Sequence, residues 1–259
     1  MHPQDDNQAK YSQDGFLGEK LRVRQPLDGF RSGHDAVLLA AASAPPEGGH
    51  IVELGSGSGV ASLCFAARRT DAQITGLEID PKMLALAQNN AEANDLGARV
   101  HFKLADLNGP FNDMHLVANS YDEVIANPPF YKLGNVPELE TDVKARALIG
   151  TEGTLDTWVK RAAALAKARG HVTFIHRADA LAQLLTVMQK RLGDLHVLPV
   201  LPKPNKAATR VLIRGRRDAR APVTLLPPLV LQNSDGEPSQ AAESVLRHGA
   251  ALAFGEAGR

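Results

Sequence analysis

The run Glu53-Leu54-Gly55-Ser56-Gly57-Ser58-Gly59 follows the apolar pair Ile51-Val52 and leads into a helical stretch, Val60 to Arg69, leaving few folds open to this chain. Glycines at alternate positions let a backbone turn tightly and approach a ligand closely. A dinucleotide fingerprint, G-x-G-x-x-G, would need glycines at 55, 57 and 60. Position 60 is Val60, and the third glycine stands at 59. The acid at the head of the loop, Glu53, also lies outside that pattern and suits a ligand carrying a positive amine. The next strand signal, Ile74 to Ile79, ends in acids. Glu78 can accept both hydroxyl hydrogen bonds of a ribose. Asp80 before Pro81 reads more simply as an N-cap with proline at the first helical position.

Strand and helix signals keep alternating, which argues for a parallel sheet with helices on both faces. Helix Pro81 to Asp95 places Leu84, Ala87 and Ala91 on one face, and Val100 to Leu104 is the third strand. Leu155, Trp158, Val159, Ala162, Leu165 and Ala166 keep a helical rhythm, so Trp158 reads as core. His171 to His176 is a further strand, followed by a helix over Ala178 to Arg191. Leu195 to Leu201 and Ala208 to Ile213 suggest a closing antiparallel pair. Asn233 to Gln240 reads as a polar link and Ser244 to Phe254 as a short terminal helix.

A second motif, Asn127-Pro128-Pro129-Phe130, follows the apolar run Tyr121 to Ala126 and so belongs at the carboxyl end of a buried strand. Open α/β sheets bind their ligands at that edge. Neither proline has an N–H, each φ is held near about −65°, and a residue before proline is pushed to extended geometry. The turn offers acceptors that converge on a planar amine, and Phe130 offers a ring face for stacking. Taken alone, the same residues also suit a plain stiff turn after a strand.

Glu53 to Gly59, Glu78 and Asn127 to Phe130, in this order and spacing, resemble a class I S-adenosylmethionine-dependent methyltransferase. The layout is similar to the tRNA adenine-N6 methyltransferases that act beside the anticodon of valine tRNA, including the lead-in Gly33-His34-Asp35-Ala36-Val37-Leu38-Leu39. The resemblance runs over residues 15 to 215; Phe130 stands where tyrosine is commoner, and the C-terminal tail is longer. It implies a Rossmann-like α/β fold with a mostly parallel seven-stranded sheet, helices on both faces and an antiparallel last strand. It also implies a lead-in over 1–44, a methyltransferase domain over 45–220 and an extension of that domain over 221–259. S-adenosyl-L-methionine would be held by Asp35, Glu53, Gly55, Gly57, Gly59, Glu78, Asp106 and Leu107. The Asn127 side-chain oxygen and the Pro128 carbonyl would accept from the amine, with Pro129 stiffening the turn and Phe130 stacked on the base. Other readings are a methyltransferase on glutamine N5, rRNA guanine N2 or DNA adenine, or a SAM-binding module without catalysis.

With 29 basic and 29 acidic residues, net charge makes no case for nucleic-acid binding. A local patch could: Lys203, Lys206, Arg210, Arg214, Arg216, Arg217 and Arg220 are opposed only by Asp218. They read as a phosphate-backbone contact for tRNA or other RNA, or as the solvated face of a late hairpin. The long segment Lys132 to Gly153 suits a lip beside the catalytic turn. A single cysteine, Cys64, excludes an internal disulfide, and the histidines show no metal-ligand spacing. No apolar run is long enough to cross a membrane and no signal-peptide core is present, so a cytoplasmic enzyme without a metal is expected.

Overall fold

The alternation of strands and helices is present in the computed structural model, which describes residues 11–129 and 152–254. An antiparallel hairpin, β1 (Tyr11–Phe16) with β2 (Leu21–Pro26), precedes helix α1 (His34–Ala42). Then come β3 (His50–Leu54), α2 (Val60–Arg68), β4 (Gln73–Glu78), α3 (Pro81–Ala93), β5 (Val100–Leu104) and β6 (Tyr121–Ala126). After the segment outside the described residues follow α4 (Glu152–Leu165), β7 (Ala166–Arg177), α5 (Leu181–Gln189), β8 (Leu192–Leu201) and β9 (Arg210–Arg217). Two short strands, β10 (Thr224–Leu225) and β11 (Leu229–Val230), and helix α6 (Gln240–Leu246) complete the described chain.

The sheet runs β8-β9-β7-β6-β3-β4-β5, with β10 and β11 added in parallel to β8. The seven expected strands are therefore all present, and the sheet has nine. β3 to β7 are parallel, and β9 is antiparallel to both neighbours. β9 continues to Arg217, past the Ile213 limit expected from apolar content, because its last turns of the pleat carry arginines.

Both faces of the sheet are buried, which is why strands such as Ile51-Val52 and Val124-Ile125-Ala126 read as continuous apolar runs. On one face Ile51, Ile74 and Ile125 pack with Leu38, Leu63 and Phe65 of α1 and α2. On the other, Val52, Leu54 and Val124 pack with Trp158 and Val159 of α4 and with Leu184 and Met188 of α5. The helix over Ala178 to Arg191 is a 3-10 turn followed by the shorter α5.

The hairpin of the lead-in is docked by two side chains of α3. Asn90 accepts from the Arg24 N–H at 2.9 Å and donates to the Arg24 and Ser58 carbonyls, each at 3.0 Å. Asn94 makes the matching pair with the backbone of Arg22. In the C-terminal region the expected link is ordered: Gly236, at φ 97°, closes a turn in which Asn233 N–H donates to Glu237 at 2.8 Å. The terminal helix starts four residues earlier than expected from its apolar content, because Ser239 caps it by accepting from the Ala242 N–H at 3.0 Å.

Candidate active site

At the carboxyl ends of β3, β4, β5 and β6 the chain leaves a cleft of ≈ 670 Å³, within the range of small-molecule sites, roughly 300–1,000 Å³. Gly55, Gly57, Glu78, Asp106, Leu107, Asn127 and Pro129 all line it, so the structure brings most of the expected residues together. Leu77, Ile79, Met83 and Leu86 give it an apolar side.

The loop after β3 is shaped by positive φ at Gly55 (68°) and Gly57 (55°). A Cβ on Gly55 would sit 2.5 Å from Cη2 of Trp158, so packing against α4 requires glycine there. A Cβ on Gly57 would meet nothing within 4 Å and would project into open space. Backbone bonds hold the loop: Ser56 N–H donates to Leu77 at 2.8 Å and Gly57 N–H donates to Glu78 Oε2 at 2.7 Å. Gly59 instead starts α2 in the left-handed region, below the cleft.

Glu78 is nearly buried at the end of β4. Its Oε1 accepts from the N–H groups of Ile79 (2.8 Å) and Asp80 (2.9 Å). Burial raises its pKa, and the backbone donors of Asp80, Gly57 and Ile79 oppose that shift. A carboxylate has about four lone-pair sites, so three fixed donors orient it and leave room for a ligand hydroxyl. Asp80 caps α3 by accepting from the Lys82 N–H at 2.8 Å, with Pro81 in the first turn as expected.

Asp106 lies on the wall and its Oδ1 accepts from the Asn108 N–H at 2.8 Å, so it also shapes the turn after β5. That turn is pinned from α4, where Arg161 donates through Nε to the Leu107 carbonyl at 2.8 Å and through Nη2 to the Gly109 carbonyl. Asn127 follows β6 directly, and its Oδ1 is buried with no hydrogen-bond partner among the described residues. Pro128 is buried beneath the wall, and Phe130 lies outside the described residues, as does most of the Lys132 to Gly153 lip.

Several expected residues sit elsewhere. Among the described residues, the cleft wall does not include Glu53, Gly59, Pro128 or Asp35. Glu53 lies behind the loop, accepting a short hydrogen bond from Ser62 Oγ, and burial pushes its carboxyl up to about 8. Asp35 accepts from Arg210 Nε at 2.8 Å. Arg210 of the expected basic row thus carries an ion pair within the protein. In the same stretch Arg214 is buried near Glu123, Arg216 donates to His171, and Arg217 donates to the Ala166 carbonyl at 2.7 Å. The side chains of a strand leave its two faces alternately, and a count of charges along the sequence cannot show what each arginine meets there.

Sequence reasoning missed Trp158, which belongs both to the core and to the cleft wall. Its helical rhythm disguised the second role. Arg161, Tyr11 and Phe30 carried no motif at all; Phe30, 59% exposed, stands at the cleft mouth.

The parallel sheet with one antiparallel strand, and a glycine-loop cleft at its carboxyl edge, define a class I methyltransferase fold. The chain belongs to the methyltransferase small domain family, whose family model matches residues 33–179. The tRNA1(Val) (adenine(37)-N6)-methyltransferase of Porphyromonas gingivalis is 29% identical over 210 residues, 78% of this chain and 81% of that protein. Its namesake from Actinobacillus succinogenes is 27% identical over 208 residues, 80% of this chain and 85% of the relative. Among solved structures, a predicted O-methyltransferase from Agrobacterium tumefaciens superposes with a TM-score of 0.73 at 24% identity, over 85% of this chain and 99% of that one. P. horikoshii TYW2 in complex with MeSAdo superposes with a TM-score of 0.51 at 13% identity, over 81% and 72%. At these identities the two structures speak for the fold alone.

The protein is an S-adenosylmethionine-dependent methyltransferase. The cleft fits that cofactor: Glu78 retains acceptor capacity for a diol, the open space at Gly57 admits a ligand against backbone, and Leu77, Ile79, Leu86 and Leu107 offer an apolar seat for a purine. When bound, the cofactor supplies an electrophilic methyl carbon.

Proposed function

We propose that this chain methylates the N6 amine of an adenine in tRNA. The buried Asn127 Oδ1, unpartnered among the described residues on the cleft wall, carries this reading. An unsatisfied buried acceptor costs about 1–3 kcal/mol, so a donor from outside is its natural complement. The names and the extent of the curated relatives support adenine in tRNA as the owner of that donor.

An exocyclic amine is a poor nucleophile because its lone pair is delocalised into the ring. Acceptors on its two hydrogens favour a more tetrahedral nitrogen. Asn127 Oδ1 takes one of those hydrogens here, and Phe130 would stack on the base, worth about 1–3 kcal/mol. No strong general base is required, since the nitrogen becomes acidic once methylated. An unpaired loop adenine is the cheapest to extrude into such a cleft. Exposed Arg24, whose guanidinium carbon lies 5.2 Å from the centre of the Tyr11 ring on the cleft wall, suits a phosphate beside it. Residues 45–220 then form the catalytic domain, and the substrate puts the chain in the cytoplasm. Among the described residues no helix is long and apolar enough to cross a membrane.

The reading is tested by incubating the protein with methyl-labelled cofactor and separate pools of tRNA, rRNA, DNA and protein. Label should enter tRNA alone; label confined to another pool would move the assignment to that molecule's planar nitrogen.

A further inference from the structure

A second cavity, ≈ 400 Å³, opens at the opposite edge of the sheet. His171, on its wall, pairs with Glu123 early in β6, whereas the catalytic Asn127 follows the last residue of that strand. The cavity is lined by Arg169, Arg214, Arg216 and Arg220, with His171 and His196, against one carboxylate, Asp194. Asp194 Oδ1 lies 3.3 Å from His196 Nε2.

Three features make this a built anion site rather than a scatter of surface charge. Arg214 is only 6% exposed, and its Nη2 has no hydrogen-bond partner among the described residues. The nearest carboxylate oxygen, Glu123 Oε1, is 3.8 Å away, beyond hydrogen-bond reach. The Phe254 ring centre lies 4.6 Å from the Arg214 guanidinium carbon, on the same cavity wall. Arg169 and Arg220 are exposed at the rim and form no side-chain hydrogen bond or ion pair with any described residue. Arg169 is held there at a φ of 65°, a region an arginine rarely adopts.

We propose that this cavity binds an oxyanion of the phosphate class on the rim arginines Arg169 and Arg220, with Arg214 and Arg216 adding positive charge from the wall. Planar guanidinium groups match phosphate oxygens in pairs of parallel hydrogen bonds. The excess of positive charge in a concave, partly desolvated wall raises the local concentration of anions. The same chemistry is offered by free phosphate and by an RNA backbone, and the two are separated by experiment. The site does not depend on the identity of the methylated amine.

The test is calorimetric titration of the full chain with sodium phosphate against sodium chloride at matched ionic strength. The variant carries Arg169→Asn and Arg220→Ser; asparagine tolerates the left-handed backbone, and thermal unfolding in chloride checks that the variant is folded. The same two proteins are titrated into labelled tRNA by fluorescence anisotropy. A free phosphate as ligand gives saturable binding to the wild type, weakened roughly tenfold or more in the variant, with tRNA affinity unchanged. An RNA phosphate as ligand gives a comparable loss of tRNA affinity in the variant, with competition by added phosphate. The proposal is overturned if phosphate binds equally to both proteins, or if neither phosphate binding nor tRNA affinity depends on the two arginines.

Discussion

Replacing Gly57 by arginine separates a glycine kept for a ligand from one kept for packing. Gly57 has φ 55°, and a Cβ there would meet nothing within 4 Å. The cost to the fold is then the left-handed conformation, about 1–2 kcal/mol, less about 0.4–1 kcal/mol from the stiffer unfolded chain. A net loss near 1 kcal/mol lowers Tm by roughly 2–4 °C in a chain of this size. Gly55→Ala is the contrasting case, with a Cβ 2.5 Å from Trp158 Cη2 at φ 68°. Overpacking of about 1–3 kcal/mol adds to the conformational cost of about 1–2 kcal/mol, a large share of a stability of about 5–15 kcal/mol. Thermal unfolding with and without S-adenosylmethionine reads both effects. At a hundredfold excess over Kd, wild type gains about 2.7 kcal/mol from the cofactor. Gly57→Arg should unfold near wild type without cofactor and gain nothing from it. Normal cofactor stabilisation of Gly57→Arg, or damage equal to that in Gly55→Ala, would refute the assignment of the cleft.

Four further outcomes are expected. Asn127→Ala should bind cofactor normally and lose methyl transfer by roughly 10²-fold or more, read in single-turnover kinetics. Glu53→Gln should flatten the stability profile with pH: the carboxyl is raised from 4.5 to about 8, so the folded state holds a proton the unfolded state has lost. Wild-type stability therefore falls as pH rises through that window, by up to a few kcal/mol, and urea titrations at pH 5 and about pH 8.5 should show the variant relatively more stable at the higher value. Arg161→Ala should loosen the Leu107–Gly109 turn, part of the cleft wall, and weaken cofactor binding by roughly tenfold, measurable by calorimetry. Asp35→Asn should alter stability by about 0–1 kcal/mol and leave cofactor affinity unchanged, since its partner is Arg210; a large loss of affinity would restore Asp35 to the site.

The fold was legible because its signals are local. Continuous apolar strands, a glycine loop and an Asp80-Pro81 helix start need only neighbours in sequence, and all three appear where expected. The cleft was legible where a motif carries the chemistry, at Gly55, Gly57, Glu78 and Asn127. It was not legible where a side chain's direction depends on partners distant in sequence. Glu53 turns to Ser62, Asp35 turns to Arg210 across 175 residues, and Arg214 turns into the sheet toward Thr173. The same arginines read as a solvated basic row in one dimension and as the wall of a cavity in three.

The central claim is most directly tested by nucleoside mass spectrometry of tRNA incubated with the purified protein and S-adenosylmethionine. N6-methyladenosine should appear, should map to an unpaired loop adenine, and should be absent with Asn127→Ala. Methyl groups on any other atom, or N6-methyladenosine formed equally well by Asn127→Ala, would contradict the account.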